Sequence, residues 1–165
     1  QTSPEISLQL IACLAKAAGS EGMVAGQAID IASVNQTLTL EQLEHMHHQK
    51  TGAMILASIT MGALSTGHTT AAQLSALETY GKAIGLAFQV QDDILDVISD
   101  TEVLGKQQGA DKALNKPTYT ALLGLDGAKQ KTIQLHQIAL NALSVFDQSA
   151  SQLRAVADYI VNRDY

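Results

Sequence analysis

The sequence predicts an all-α fold, and three observations carry that reading. Apolar residues recur at helical spacing along nearly the whole chain, only two prolines interrupt 165 residues, and helix-opening signals stand at Ser3, Thr39 and Thr70. Ser3-Pro4-Glu5 supplies a capping hydroxyl, a proline at the first helical position and an acid near the positive end of the dipole, with Gly19 as the stop. A shorter helix is expected over about Met23 to Ala32, followed by the polar connector Ser33 to Thr37. Thr39-Leu40-Glu41-Gln42 reads as a capping box opening a long helix to about Leu64, which Ser65-Thr66-Gly67-His68 ends. Thr70-Ala71-Ala72-Gln73 opens another that runs to about Ser99 and would be roughly 43 Å long. Gly81 and Gly85 inside it cost up to about 1 kcal/mol each relative to Ala, which points to close approach of another backbone or a ligand. Asp100 to Lys116 reads as an irregular, functional-length loop. Pro117 restarts a helix to about Gly124, Asp126 caps one from Gly127 to about Gln148, and Ser151 caps a last one with Leu153, Val156, Ala157 and Ile160 on one face.

Composition narrows the function classes. The chain is 46% hydrophobic and only 16% charged, so an unusual share of its surface is built to be covered. A net charge of −6 argues against a nucleic-acid binder that works by neutralising phosphates. The single cysteine, Cys13, excludes an internal disulfide framework and fits a reducing compartment. With that compartment the cytoplasm is the expected location, and no apolar run approaches the about 20 residues that span a bilayer. Gln1 in place of Met raises the expectation of a fragment.

The sharpest chemical feature is Phe88-Gln89-Val90-Gln91-Asp92-Asp93-Ile94-Leu95-Asp96, at the end of the second long helix. At roughly 100° per residue, Gly85, Gln89, Asp92 and Asp96 share about 60° of one face, while Ala87, Val90, Ile94 and Val97 line the opposite side. Like charges at i,i+4 and acids at the negative end of a helix dipole are both unfavourable, and a bound cation removes both penalties. Oxygen ligands without Cys or His suit a hard ion, Mg²⁺ before Zn²⁺. A solvated acidic helix end has the same composition, and spacing alone does not separate the two readings.

Lys50 falls within the apolar stripe of Leu43, Met46, Ala53, Ala57 and Leu64. It either snorkels to water or meets an anion within the bundle. Thr51 follows it with a hydroxyl donor, Gly52 leaves room for a neighbour, and Gln27 and Asp30 form an inward-capable pair at i,i+3. Chain connectivity keeps Lys106 near the acidic helix end, with Lys112 and Lys116 on the same loop, and lysine serves phosphate as a mobile point charge. Together these suggest a metal-bound diphosphate between helices. His45, His47 and His48 are expected at the solvent face, and the lone Glu-x-x-His lacks the second copy a di-iron bundle needs. No P-loop, nucleophile elbow or zinc-binding cysteine pair is present.

These segments resemble the trans-isoprenyl diphosphate synthases, the polyprenyl synthetase family, and within it the bacterial farnesyl diphosphate synthases (geranyltranstransferases). The matching segments are Gly26-Gln27-Ala28-Ile29-Asp30, Lys50-Thr51-Gly52-Ala53, Gly85 through Asp96, and Leu104-Gly105-Lys106 through Gly109-Ala110-Asp111 to Lys116. The resemblance implies an isoprenoid-synthase-type helical bundle with Mg²⁺ as cofactor, Asp92 binding it directly and Asp93 and Asp96 supporting it largely through water. It implies that Lys50 and Lys106 hold the allylic diphosphate with Thr51 and Gln89, that Gln27 and Asp30 line the cavity, and that Lys116 belongs to the same pattern. The implied reaction condenses an allylic diphosphate (dimethylallyl or geranyl) with isopentenyl diphosphate, 1'-4 and head to tail, in a cytoplasmic homodimer.

One departure from the family pattern is large. The family also carries a first aspartate-rich motif followed by an arginine pair, whereas this sequence has one Asp-Asp-x-x-Asp and only Arg154 and Arg163, near its end. Residues 1–165 are therefore expected to be the C-terminal part of a single polyprenyl synthetase domain, inactive alone. The competing readings are a catalytically silent helical partner subunit, which the upstream reading frame would decide, and a class I terpene cyclase; the Lys50-Thr51 and Phe88 to Asp96 motifs weigh against the cyclase.

Overall fold

The computed structural model describes residues 2–98 and 117–164, and among them the regular structure is entirely helical. Helix α1 (Pro4–Ala18) opens as expected: the Ser3 hydroxyl accepts from the Ile6 N–H at 3.3 Å, and Gly19 ends it by donating to the Ala15 carbonyl. Helix α2 spans Met23–Ala32, and Asn35 turns the connector behind it at φ 62, a left-handed conformation that asparagine tolerates. Both capping boxes are made. Thr39 and Gln42 exchange bonds of 2.9 and 3.2 Å at the start of α3 (Leu40–His47), and Thr70 and Gln73 do the same at the start of α5 (Ala71–Ile98).

Three elements differ from the sequence expectation. The long helix from Leu40 is divided by a π-helical turn, His48–Gly52, before α4 (Ala53–Ser65) continues. The break expected near Gly124 is a kink inside α6 (Tyr119–Ala142), where Gly124 takes φ 69 and ψ 167, a region glycine enters without a Cβ penalty. Helix α6 ends at Ala142, short of the expected Gln148, because 3₁₀ turns at Leu143–Val145 and Gln148–Ala150 lead into α7 (Ser151–Asn162). Ser151 is the first helical residue of α7 and makes no capping bond. Asp147 instead accepts from the Ser149 N–H at 2.8 Å, and Arg154 donates to the carbonyls of Leu143, Phe146 and Asp147, each at 2.9 Å.

Helix α5 is the central element. Its buried positions Leu77, Tyr80, Ile84, Ala87, Val90 and Ile94 pack against Tyr119, Ala128, Leu135 and Ala139 of α6 and Ala157 of α7. Each fully buried Leu, Ile or Val contributes about 1.5 to 3 kcal/mol, so this seam fixes where the end of α5 lies. The Tyr80 hydroxyl donates to the Leu153 carbonyl at 2.7 Å, tying α5 to α7, and burial pushes its pKa up to about 12. On the other side α5 meets α4 and the π turn at its two interior glycines: a Cβ at Gly81 would lie 3.0 Å from Leu56 Cδ1, and one at Gly85 3.2 Å from Gly52 Cα. The close approach that these glycines imply is thus made by protein. Helix α1 lies on α4 and leaves Leu8 and Ile11 67% and 64% exposed. Among the described residues no helix is long and apolar enough to cross a membrane.

Candidate active site

The π turn is held between α2 and α5 by main-chain contact. A Cβ on Gly26 would stand 2.1 Å from Lys50 N and 2.4 Å from Lys50 Cα, so glycine alone lets α2 rest on this turn. Single π turns inside helices occur frequently at functional sites, and this one carries Lys50 and Thr51. The Lys50 ammonium donates to Asp30 Oδ2 at 2.9 Å, with the two side chains only 25% and 13% exposed. The inward lysine therefore neither snorkels nor stands alone: it closes a largely desolvated pair with the α2 carboxylate. Thr51 is half-buried beside it, and Gln27 is exposed on the same helix as Asp30.

On α5 the face that touches Gly52 through Gly85 also carries Gln89, Asp92 and Asp96, since all four fall within about 60° of one another. Asp92 lies seven residues beyond Gly85 in sequence, roughly 10 Å along the axis from that contact. The Gln89 amide donates to Asp92 Oδ2 at 3.3 Å, Asp92 is half-buried, and Asp96 is half-buried on the next turn. Asp30 and Lys50 on one side and the acidic face on the other are thus linked through a glycine-to-glycine contact.

Asp93 points elsewhere. It is 8% exposed, and its Oδ2 accepts from the Tyr119 N–H at 2.6 Å, while the Thr118 hydroxyl accepts from the Ala121 N–H at 3.2 Å. A carboxylate at the positive end of α6 is favoured both by the dipole and by the open N–H group, so this acid fastens the start of α6 to α5. The Tyr119 ring stacks on His47, with centroids 5.5 Å apart and planes at 24°, and burial, with the Glu44 and Asp93 carboxylates adding, pushes the Tyr119 hydroxyl pKa up. His47 is accordingly buried where the sequence suggested solvent, whereas His45 is exposed. Burial lowers the pKa of half-buried His48, opposed by Glu44 and reinforced by Lys82, His45 and Lys131.

One residue of the site had no role in the sequence reading. Arg163, just beyond α7, stacks its guanidinium 4.2 Å from the centroid of Phe88, donates to the Phe88 carbonyl at 3.1 Å and pairs with Asp92 Oδ1. The Gln91 amide returns a bond to the Arg163 carbonyl at 3.1 Å. Arg163 and Asp92 are 71 residues apart, and no local signal marks the partnership. Lys106 and Lys116, expected at the site, lie outside the described residues, as does Lys112.

The donors on the acidic face fit a hard cation. They are carboxylate and amide oxygens, with no thiolate or imidazole among them, and among the described residues no three His, Cys, Asp or Glu side chains converge into a closed cage. An ion held by one or two carboxylates, its own waters and a substrate phosphate matches the habits of Mg²⁺.

Comparison with known proteins decides the family. A family model described as Polyprenyl synthetase matches residues 4–157. The chain belongs to the polyprenyl synthetase family. Among its polyprenyl synthetase relatives, the farnesyl diphosphate synthase of Escherichia coli (strain K12) is 46% identical over 168 aligned positions, covering 98% of this chain and 56% of that protein. The chloroplastic geranylgeranyl pyrophosphate synthase of Capsicum annuum is 43% identical, covering 98% of this chain and 44% of its own length. A crystal structure of the Helicobacter pylori geranyltransferase complexed with magnesium and isoprenyl diphosphate superposes with a TM-score of 0.80 at 35% identity, over 97% of this chain and 52% of that one. The chain spans about half the length of the curated relatives it matches. The family and the all-α fold expected from the motifs are thereby established, and in sequence the chain is farnesyl-diphosphate-synthase-like.

Proposed function

We propose that these residues form the allylic-diphosphate side of a short-chain prenyltransferase that joins dimethylallyl or geranyl diphosphate to isopentenyl diphosphate. The observation that carries this reading is the glycine-to-glycine contact of Gly52 and Gly85, which sets the Lys50 pair beside the helix face bearing Gln89, Asp92 and Asp96. In this proposal Asp92, with Asp96 acting largely through water, would hold Mg²⁺, which when bound neutralises charge developing on the leaving diphosphate, while Asp93, expected from the resemblance to support the ion, stays on the Tyr119 N–H. Lys50 exchanges Asp30 for a phosphate oxygen, Thr51 and Gln89 donate to the same group, and Gln27 lines the cavity. Lys106 and Lys116, in the stretch of sequence that follows α5, add charge. With the leaving group neutralised in this way, the allylic C–O bond ionises. The isopentenyl double bond then attacks the allylic carbon from which diphosphate has departed, and transfer of a proton from the new cation to that diphosphate completes the 1'-4 linkage.

The test is Asp92→Ala in the full-length protein. Turnover should fall by about 100-fold or more, the loss seen when one electrostatic stabiliser is removed from an active site, and a near wild-type rate at saturating Mg²⁺ overturns the proposal. Running the product assay with and without isopentenyl diphosphate separates chain elongation from cyclisation. We further propose a homodimer working in the cytoplasm, an assignment supported by the family resemblance and by the exposed Leu8 and Ile11 of α1. Sedimentation of the full-length protein tests the dimer.

A further inference from the structure

We propose that Arg163 is a displaceable counter-ion of the acidic face: it neutralises Asp92 when no cation is bound, and cation binding expels it together with the segment that carries it. The inference rests on the reading that Asp92 takes a divalent cation, and it begins from the way Arg163 is held. Its side chain is only 12% exposed, stacked on Phe88 and paired with Asp92 Oδ1, while its own carbonyl accepts from Gln91. Side chain and main chain are therefore clipped to the same two turns of α5, and they must leave together.

Two features make the arrangement antagonistic to a metal. The guanidinium uses one Asp92 oxygen and Gln89 donates to the other, so a directly bound ion must take an oxygen already engaged. An ion at Asp92 would also set two positive charges beside a third in a half-buried setting, where repulsion is poorly screened. A guanidinium remains cationic in proteins. The remaining response is movement. Among the described residues the Arg163 Nε is buried without a hydrogen-bond partner, a donor that release would return to water. By linkage, the factor by which docking weakens the cation is the factor by which the cation weakens docking. Segment and metal report on one equilibrium from opposite sides.

Both sides are measurable without turnover, in the full-length protein. Mn²⁺ binding followed by the loss of its free-ion paramagnetic resonance signal should be at least about fivefold tighter in Arg163→Gln than in wild type. Arg163→Lys, which keeps the charge, should remain near wild type. In the wild-type protein, trypsin should cut after Arg163 at least about fivefold faster when Mg²⁺ is added, with cleavage at other sites as internal reference. In Asp92→Asn the same bond should be cut quickly whether or not Mg²⁺ is present. Unchanged or weaker Mn²⁺ binding in Arg163→Gln overturns the inference, as does cleavage that Mg²⁺ slows or leaves alone. If Asp92→Asn binds Mn²⁺ as well as wild type does, Asp92 takes no cation, and the functional proposal falls along with the inference. If Asp92→Asn loses the ion while Arg163→Gln gains nothing, only the inference falls.

Discussion

Replacing Asp93 by alanine separates two roles that its place in the aspartate motif confounds. In the folded chain its Oδ2 accepts from the Tyr119 N–H at 2.6 Å, and Tyr119 is fully buried. A hydrogen bond to a charged acceptor contributes about 1.5 to 3 kcal/mol, and the orphaned donor has no water to turn to. The Thr118 hydroxyl stays on the Ala121 N–H, so α6 keeps part of its cap. The expected loss for Asp93→Ala is about 2 to 3 kcal/mol, which at a urea dependence near 2 kcal/mol per molar lowers the unfolding midpoint by about 1 M or more. Asp93→Asn keeps an oxygen acceptor but not the charge facing the helix dipole, a difference of about 0.3 to 1 kcal/mol, so it should lose less than half as much. Equilibrium urea unfolding of the full-length protein, paired with Mn²⁺ binding, reads both roles. A variant Asp93→Ala within about 0.5 kcal/mol of wild type in stability, yet as deficient in Mn²⁺ as Asp92→Ala, would refute the reasoning and return Asp93 to the metal.

Two further expectations follow from the packing and the charges. Gly26→Ala gains about 1 kcal/mol of helix propensity, but its Cβ would meet Lys50 main-chain atoms at 2.1 and 2.4 Å, and overpacking costs about 1 to 3 kcal/mol or more. It should lower the melting temperature more than Gly85→Ala, whose Cβ meets Gly52 Cα at 3.2 Å, and the reverse order would count against the main-chain wedge. Burial lowers the pKa of His48 below its ordinary 6.5, so as pH falls the unfolded chain takes up this proton before the folded one does. Its contribution to stability is complete above about pH 6.5 and is lost as pH falls through the window toward the lowered folded value. His48→Gln should flatten the decline in urea midpoint between roughly pH 7 and 5, and parallel profiles would exclude the effect.

What the sequence made legible was local. The caps at Ser3, Thr39 and Thr70, the glycine stop after α1 and the acidic face of α5 each rest on residues within about four positions of one another, the range over which helix periodicity and capping act. Its misses share the opposite property. The carboxylate that completes the cap on α6 comes from Asp93, 26 residues before Tyr119, the partner of Lys50 is Asp30, 20 residues earlier, and Arg163 reaches Asp92 across 71 residues. His47 read as solvent-facing because its stacking partner, Tyr119, sits on another helix. The π turn was hidden for a different reason: one extra residue leaves the apolar spacing on either side intact, so the Leu43 to Leu64 stripe still reads as continuous. Asp92 and Lys50 could be found as candidates because charge on a helix face or in an apolar stripe conflicts with its surroundings. The direction in which Asp93 turns could not, since it depends on which neighbouring N–H group is open.

The contact among Gly26, the π turn and Gly85 carries a mechanical corollary. Elements that meet through side chains can slide when one residue is exchanged for another, because methylenes yield and refill. Here α2, the π turn and α5 touch at Cα range, so the separation of Lys50 from Asp92 is a property of the polypeptide trace and not of any side-chain volume. Residues around this junction can vary in bulk while the two charged groups keep their spacing. Fidelity of charge placement falls to main-chain atoms, and freedom to change side-chain bulk is left to the positions around them.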